Sequence, residues 1–490
     1  AKARIIGEGE HGFATWLKIS EDDVITIYSP HTDIGQGSNT GLAQMLAEEL
    51  DATWEQVRVV SAPAEPAFAN VGLGRGFLAD MTGQPAIING IPQSFLSFIA
   101  RQMNLQITGG STALRFTGQI TFQKVGAATR LALMETAAKR LNVPMDELTT
   151  QDSRVIHAKS SQSLRYGELA AEAATLSLDN EPKLKDPTQY RLIRQSMQRL
   201  DIPAKVDGSA QYGMDFAIPG MRVATIQAAP VRGGKLTSAD TAPALAIKGV
   251  EKVIKLDNAV AVVAKGYWPA ISGLRALAPS FSDGGHADVS TASIFQAHDA
   301  IIAKGEADGE AGQGDVQAAL GTKPIKAKYQ VPFLHHAMME PFALTAQYKD
   351  GKLDIWGGMQ DPLATKMLAV EVSGLDADDV TFHPMIIGGS FGRRLPMYME
   401  IVSQVTQLAM QLPYPVKLIW SREEEVAQGA YRPQSSAVLQ AALTDKKRIA
   451  AYRNDYAQPE SAESETVFPY SLPAVSRRHF AHVSNQNTGA

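Results

Sequence analysis

Residues 388–394 read Gly-Gly-Ser-Phe-Gly-Arg-Arg. Three glycines within five residues let backbone N–H groups come close to a bound group. The two arginines that follow can pair with an anion in bidentate fashion. Met385-Ile386-Ile387 leads in as an apolar strand, and a helix is expected from about Tyr398. This strand–turn–helix has three readings. Gly388-Gly389-Ser390-Phe391-Gly392 fits the G-x-S-x-G elbow that presents a nucleophilic serine. It also fits a glycine turn that cradles a cofactor, or a turn with a structural role alone.

A second glycine pair lies near the start of the chain. Val24 to Tyr28 reads as a strand, Pro30 ends it, and His31 to Thr40 forms a loop. A helix follows with Leu42, Met45, Leu46 and Leu50 on one face, and Ser38 or Asn39 is a fitting N-cap. Gly35-Gln36-Gly37 therefore sits at a helix N-terminus, where unpaired N–H groups and the helix dipole favour an anion. Val57 to Val60 reads as the next strand. Thr108 to Thr112 is another small-residue loop, ahead of a helix near 123–142 that Pro144 stops. Gly72, Gly74 and Gly76 do not make a dinucleotide fingerprint, because Phe77 stands where its third glycine belongs and no strand leads in.

The elements that must hold these loops divide the chain. Residues 175–200 are polar, carry Pro182 and Pro187, and read as a linker. Short strands follow at Tyr212–Asp215, Val223–Ile226, Val253–Leu256 and Ala259–Val263. A Gly/Asp-rich stretch near 304–315 marks another boundary, and a last unit runs from Lys326. His479 and His482 are spaced so that a helix would bring them together, while the adjacent His335 and His336 would point apart in a strand. Neither pair comes with a metal-site motif. Glu48-Glu49, Asp378-Asp379 and Glu423-Glu424-Glu425 read as solvated faces. Glu340-Pro341, beside the apolar Met338-Met339, is harder to dismiss.

A chain of 490 residues, 44% apolar and 20% charged, can bury a large core without staples. The net charge of −5, with both signs scattered, argues against a nucleic-acid footprint. The absence of cysteine excludes disulfides, a Cys nucleophile and an iron–sulfur cluster held by Cys on this chain. It suits an oxidising compartment, and a start at Ala1 fits removal of a leader or a trimmed chain.

Taken in order, these pieces resemble the large, molybdenum-binding subunit of the molybdenum hydroxylases (the xanthine oxidase family). The likeness is strongest to the branch typified by isoquinoline 1-oxidoreductase beta subunits and bacterial membrane-associated aldehyde dehydrogenases. His31 to Thr40 with Ala47-Glu48-Glu49-Leu50 is similar to the branch's "MGQG…T…AEEL" segment, with Ile34 for the usual Met. Thr108 to Thr112 resembles a second pterin loop. Pro203 to Leu277 resembles an a/b hammerhead domain. Tyr329 to Pro341, Trp356 to Pro362 and Gly388 to Arg394 follow as in the first molybdenum-binding region.

The resemblance implies an α+β large subunit with permuted molybdenum-binding regions around the hammerhead. Residues 1–175 would be part of the second region, 176–202 a linker, 203–300 the hammerhead and 320–490 the first region. The cofactor would be molybdenum on molybdopterin cytosine dinucleotide, with no metal bond from a protein side chain. Gly35, Gln36, Gly37, Gly110, Ser111, Thr112, Gly389, Ser390, Gly392 and Arg393 would hold it, and Phe391 would stack near the substrate. Ser390 would then pack under the cofactor and be no nucleophile. The reaction would hydroxylate an electrophilic carbon with oxygen from water. An aldehyde is the first choice of substrate, since Leu334 and Phe391 are apolar and Arg394 stands where purine-oxidising relatives have Glu. An electron-poor N-heterocycle is the alternative. Electrons would leave through 2Fe–2S clusters on a small partner subunit to a cytochrome c subunit or membrane acceptor, in a periplasmic enzyme tied to the membrane through its partners.

The family's general base, a Glu in a G-x-G-E segment, is expected outside residues 1–490, on the C-terminal remainder of the large subunit or on a separate chain. Gly312-Gln313-Gly314-Asp315 is the nearest approach here, with Asp for Glu. Two rival readings stand: a serine hydrolase using Ser390 with His479 or His482, and a non-catalytic assembly subunit that shares the fold.

Overall fold

The computed structural model describes residues 6–72, 74–75, 91, 93–109, 113–177, 182–459 and 470–483. Two compact units are interleaved in sequence. One joins residues 1–224 to 338–420; the other joins 225–337 to 421–490.

The first unit contains two β-α-β crossovers, and each glycine loop belongs to one of them. In the first, strand Ile25–Ser29 leads through residues 30–37 into helix Ser38–Leu50 and on to the parallel strand Val57–Ser61. Leu17, Ile19, Ile25 and Ile27 on the sheet meet Leu42, Leu46 and Leu50 on the helix in one buried core. That is the helical and strand periodicity of the sequence made physical. Helix Gln123–Leu141 packs beside helix Ser38–Leu50 and follows a π-helical stretch, Ala113–Phe122. Gly126 permits the approach, because a Cβ there would collide with the Leu46 carbonyl oxygen.

In the second crossover, strand Lys352–Gly357 leads into helix Pro362–Ser373 and on to the parallel strand Val380–Pro384. Strand Ala343–Lys349 pairs antiparallel with Lys352–Gly357 on one side and Val416–Ile419 on the other. The chain leaves Val380–Pro384, makes the 388–394 turn and enters helix Ile401–Ala409 after a short 3-10 turn at Pro396–Tyr398.

The second unit is built on a five-stranded sheet, in the order Gly309–Gln313, Ala474–Ala481, Ile449–Gln458, Ser435–Leu443, Ile325–Val331. Helix Thr291–Lys304 is capped by the Ser290 hydroxyl, which accepts from Ser293 N at 3.1 Å. A hairpin of Val250–Lys255 and Ala259–Ala264 packs against helix Tyr267–Leu277.

Several expectations give way here. Tyr212–Asp215 is a turn with one bridge to Ile386, not a strand. The 304–315 stretch contains an edge strand, not merely a boundary, and it pairs with Ala474–Ala481. His479 is in that latter strand, so no helix pairs it with His482. Glu48 and Glu49 are buried, and so are Glu424 and Glu425. Residues 182–200 are not a free connection: Lys185 N–H donates to Glu49 Oε2 at 3.0 Å, and Glu48 Oε2 accepts from the backbone of Arg191 and Ile193 at 2.8 and 3.1 Å. A carboxylate that gathers several backbone N–H groups is a strong clasp.

Candidate cofactor site

The turn at 388–394 is held from below by the half-buried Glu340 and the buried Gln360, neither of them within it. Glu340 Oε2 accepts from Gly388 N at 2.7 Å, and Glu340 N donates to the Gly388 carbonyl at 3.1 Å. Gly388 is glycine for this reason, since a Cβ would collide with Glu340 Cβ. Gln360 does the rest. Its Oε1 accepts from the Ser390 hydroxyl and, at 2.9 Å, from Arg394 N. Its backbone N–H donates to the Arg394 carbonyl at 2.8 Å.

Gln360 also reaches the Thr108 loop. Its Nε2 donates to the Thr108 carbonyl at 2.9 Å, and its carbonyl accepts from Thr108 N at 2.7 Å. The His31–Gly37 loop joins the same hub. Thr32 N donates to Thr108 Oγ1 at 2.9 Å, and Thr32 Oγ1 donates to the Met359 carbonyl at 3.0 Å. Ile387 N donates to the Asp33 carbonyl at 3.1 Å. Segments far apart in sequence thus form one cluster. Gly110, Ser111 and Thr112 lie outside the described residues; Thr108, just before them, is part of the cluster.

The backbone of the 388–394 turn is left-handed at three positions. Gly389 has φ 98°, Phe391 φ 53° and Gly392 φ 87°. Phe391 is the exception, because an aromatic residue is disfavoured in this region by about 1–2 kcal/mol. It is 66% exposed at the tip. Backbone strain of this kind clusters at functional sites. Ser390, in contrast, is 1% exposed, and its hydroxyl is engaged by Gln360 and by Arg394 N at 3.2 Å. In a nucleophile elbow the serine itself is strained and displayed. Here the residue after it is, and the hydrolase reading loses its nucleophile. Of that reading's histidines, His479 Nε2 lies 3.0 Å from the Gln458 carbonyl, and His482 packs edge-on against His298.

Arg393 and Arg394 correct another expectation. Both are buried, not poised for an external anion. Arg394 forms an ion pair with Glu340 at 3.4 Å and lies 4.5 Å over the Phe342 ring. The Arg393 guanidinium is 6.0 Å from the same ring. A cation brought inside needs a carboxylate or a ring face, and Glu340 and Phe342 supply them.

At the other loop, Gly35 and Gly37 have φ 94° and 77°. Gly37 ends the loop as the N-cap of helix Ser38–Leu50, so neither Ser38 nor Asn39 caps it. Gln36 folds back on the loop. Its Oε1 accepts from Ile34 N at 2.8 Å and its Nε2 donates to Ser38 Oγ at 2.7 Å. The loop is rooted by His31, whose Nε2 lies 2.8 Å from Thr117 Oγ1; burial pushes the imidazole down to about 4, so it is neutral.

The residues fit a large anionic cofactor. A Cβ at Gly35 would meet nothing within 4 Å, and one at Gly389 would meet only ordinary contacts at 3.8 Å, so there is open space beside both glycines. A helix N-terminus with unpaired N–H groups stands behind the first. Gly312-Gln313-Gly314-Asp315 is explained by structure alone. A Cβ at Gly312 or Gly314 would collide with the Val475 or Pro473 carbonyl, and Asp315 caps helix Val316–Leu320 through Ala318 N at 2.9 Å.

Asp361, next to the hub, caps helix Pro362–Ser373 by accepting from Ala364 N at 3.0 Å. Burial pushes its carboxyl up to about 7 against the pull of those N–H groups. An acid whose folded pKa is raised is stabilising while protonated. That contribution is complete below the unfolded value near 4 and is lost as pH rises through 7. Asp361→Asn keeps the cap without the charge. The variant is expected to match the wild type at pH 4 and to exceed it in stability at pH 8, by up to a few kcal/mol at about 1.4 kcal/mol per pKa unit. Denaturant titrations at the two pH values measure this; a gap that is equal at both removes the assignment.

Comparison with known proteins agrees with the geometry. Two family models, each described as a molybdopterin cofactor-binding domain, match residues 4–74 and 296–481. The chain is 29% identical to the beta subunit of isoquinoline 1-oxidoreductase from Brevundimonas diminuta, covering 90% of this chain and 58% of that protein. It is 27% identical to the membrane-bound aldehyde dehydrogenase [pyrroloquinoline-quinone] of Gluconacetobacter polyoxogenes, covering 91% and 55%. It is 24% identical to a nicotinate dehydrogenase subunit of Pseudomonas putida, covering 90% and 35%. The chain thus spans less than two thirds of each of these relatives. The second relative's name carries a quinone, but both family models are of molybdopterin sites. The chain belongs to the large, molybdopterin-binding subunits of the molybdenum hydroxylase (xanthine oxidase) family.

Proposed function

We propose that this chain is the molybdopterin-binding catalytic subunit of an oxidoreductase that hydroxylates an electrophilic carbon with oxygen from water, taking an aldehyde to its carboxylic acid. The observation that carries this is Phe391, held at positive φ and exposed on a turn between Gly389 and Gly392, both also at positive φ. The molybdenum–pterin group, when bound, supplies the two-electron redox chemistry. The chain's own residues do the rest. Gly389 and Gly392 give backbone access, Gly35 and Gly37 do so at the far loop, and Ser390 and Gln360 fix the turn's shape. Phe391 orients a flat or apolar substrate by stacking. Glu340 and Arg394 neutralise one another beneath the turn, so neither charge is offered to substrate. This favours an uncharged aldehyde over a purine.

A second reading, an N-heterocycle as substrate, is supported by the names of two relatives, which act on isoquinoline and nicotinate. The pterin form is proposed to be the cytosine dinucleotide. A small partner with 2Fe–2S clusters is proposed as the electron exit, since this chain has no cysteine to hold one. We place the complex in the periplasm, associated with the membrane through its partners and passing electrons to a cytochrome c or membrane acceptor.

The test is metal and pterin analysis of the purified complex, with turnover of an aromatic aldehyde and of isoquinoline in heavy-oxygen water and a dye acceptor. Molybdenum, pterin and labelled carboxylate are expected. Product labelled from dioxygen, or none without NAD, contradicts the proposal. In cell fractions, activity is expected with the periplasm and membranes; activity confined to the cytosol overturns the placement.

A further inference from the structure

We infer that Arg199, fixed by Asp201, which Lys205 also holds, is a positioning residue that sets the shape of the Gly35-Gln36-Gly37 loop and thereby how long the cofactor stays bound. This rests on the reading that the loop holds the cofactor's dinucleotide tail. Arg199 Nη1 donates to the Gly35 carbonyl at 2.9 Å. Its guanidinium carbon lies 3.4 Å from where a Cβ on Gly37 would sit, so the side chain spans the loop from one glycine to the next. Asp201 holds the guanidinium by two bonds, Nε at 2.9 Å and Nη2 at 2.5 Å.

The loop answers from its own side. Asp33 Oδ1 accepts from Gly35 N at 2.9 Å and from Lys205 Nζ at 3.0 Å, and Lys205 also reaches Asp201 Oδ2 at 2.5 Å. Leu200 N donates to Thr40 Oγ1 at 3.1 Å, which ties the same segment to the first turn of the helix. Gly35 is therefore gripped at both ends of its residue, N–H by Asp33 and carbonyl by Arg199.

The cluster's charges decide what it does. Two carboxylates and two cations sum to zero, so the group has little net attraction for a phosphate. Its effect is geometric. Gly35 and Gly37 both have left-handed backbone, and glycine loses the most conformational freedom on ordering. A loop with two such residues is floppy unless something fixes it, and a fixed loop spares a ligand the ordering cost. The clamp is the end of a longer strap. Upstream, Lys185 reaches Glu48 at 3.1 Å and Asp51 at 2.5 Å, at the other end of the same helix. The segment is thus fastened along the whole helix whose N-terminus carries the loop.

The experiment uses the complete cofactor-loaded complex and four variants: Arg199→Ala, Arg199→Lys, Gln36→Ala and the double variant Arg199→Ala/Gln36→Ala. Cofactor release on dilution is followed by pterin fluorescence. Amide hydrogen exchange at residues 34–37 is measured after the cofactor has been removed. Arg199→Ala is expected to speed exchange and release by roughly tenfold each. Arg199→Lys, which keeps the charge but not the fork, should recover part of both. The double variant should release no faster than the faster single variant, because both act through one loop, whereas a general loss of stability would multiply the two effects to about a hundredfold. Unchanged exchange in Arg199→Ala, or multiplicative release in the double variant, overturns the clamp. Gln36→Ala that keeps its cofactor as the wild type does would instead remove the loop from the cofactor site, and the exchange result alone would then decide whether Arg199 shapes it. Should Arg199→Ala not accumulate, Arg199→Lys gives the same comparisons.

Discussion

Gln360→Leu is expected to cost about 3–5 kcal/mol of stability and to release the 388–394 turn, because it orphans buried groups at roughly 1–3 kcal/mol each. Leucine matches the volume but accepts nothing. The Ser390 hydroxyl loses its acceptor, Arg394 N is left with only its longer bond to Ser390 Oγ at 3.2 Å, and the Thr108 carbonyl loses its donor. All three are inside the protein, where water cannot replace the missing partner. The thermal midpoint should fall by roughly 5–10 °C. Limited proteolysis should open a cut between Gly388 and Arg394 that the wild type resists. Gln360→Glu is the informative control. It keeps the acceptor and loses the donor, so it should restore the turn but not the bond to Thr108. A Gln360→Leu protein with wild-type stability and protease resistance would show that the hub is not what holds the turn.

Gly392→Val should leave the protein folded and strip it of cofactor, with bound molybdenum falling by at least about tenfold, since a β-branched residue is disfavoured at positive φ. Gly392 has φ 87°, so the substitution must bend the turn, and it does so next to Phe391 and close to Gly389. Arg393 and Arg394, packed against Phe342 and Glu340, keep the base of the turn in place, so the damage is confined to its tip. Metal analysis and near-ultraviolet circular dichroism read the two effects separately. Full molybdenum content in a folded variant would remove this turn from the cofactor site.

The glycine loops and their order were legible because they depend on local chemistry. A glycine pair between a strand and an amphipathic helix has few conformations, and Gly35-Gln36-Gly37 and the 388–394 turn occur in those contexts. What holds them was not legible. Gln360 is a lone amide in the Trp356–Pro362 stretch, and nothing nearby marks it as buried. Its partners, Thr108 and Ser390, come from 252 residues upstream and 30 downstream. The two arginines read as anion ligands, since arginine is rarely buried. Glu340, 54 residues from Arg394, and the Phe342 ring reverse that. Glu340 did give a signal, as a carboxylate beside an apolar stretch. Glu48 and Glu49 were misread for the same reason as the arginines, because the strap that neutralises them is more than 130 residues further on. His479 was placed by spacing alone, and i, i+3 spacing does not separate a helix from a strand that ends before its second member.

The most direct measurement is the position of molybdenum in crystals of the complete complex, located by anomalous scattering at the metal's absorption edge. The peak should lie beside the Gly389–Phe391 backbone, with density for the pterin running to the Gly35–Gly37 loop. A metal peak in an active complex that touches neither loop would contradict the site described here.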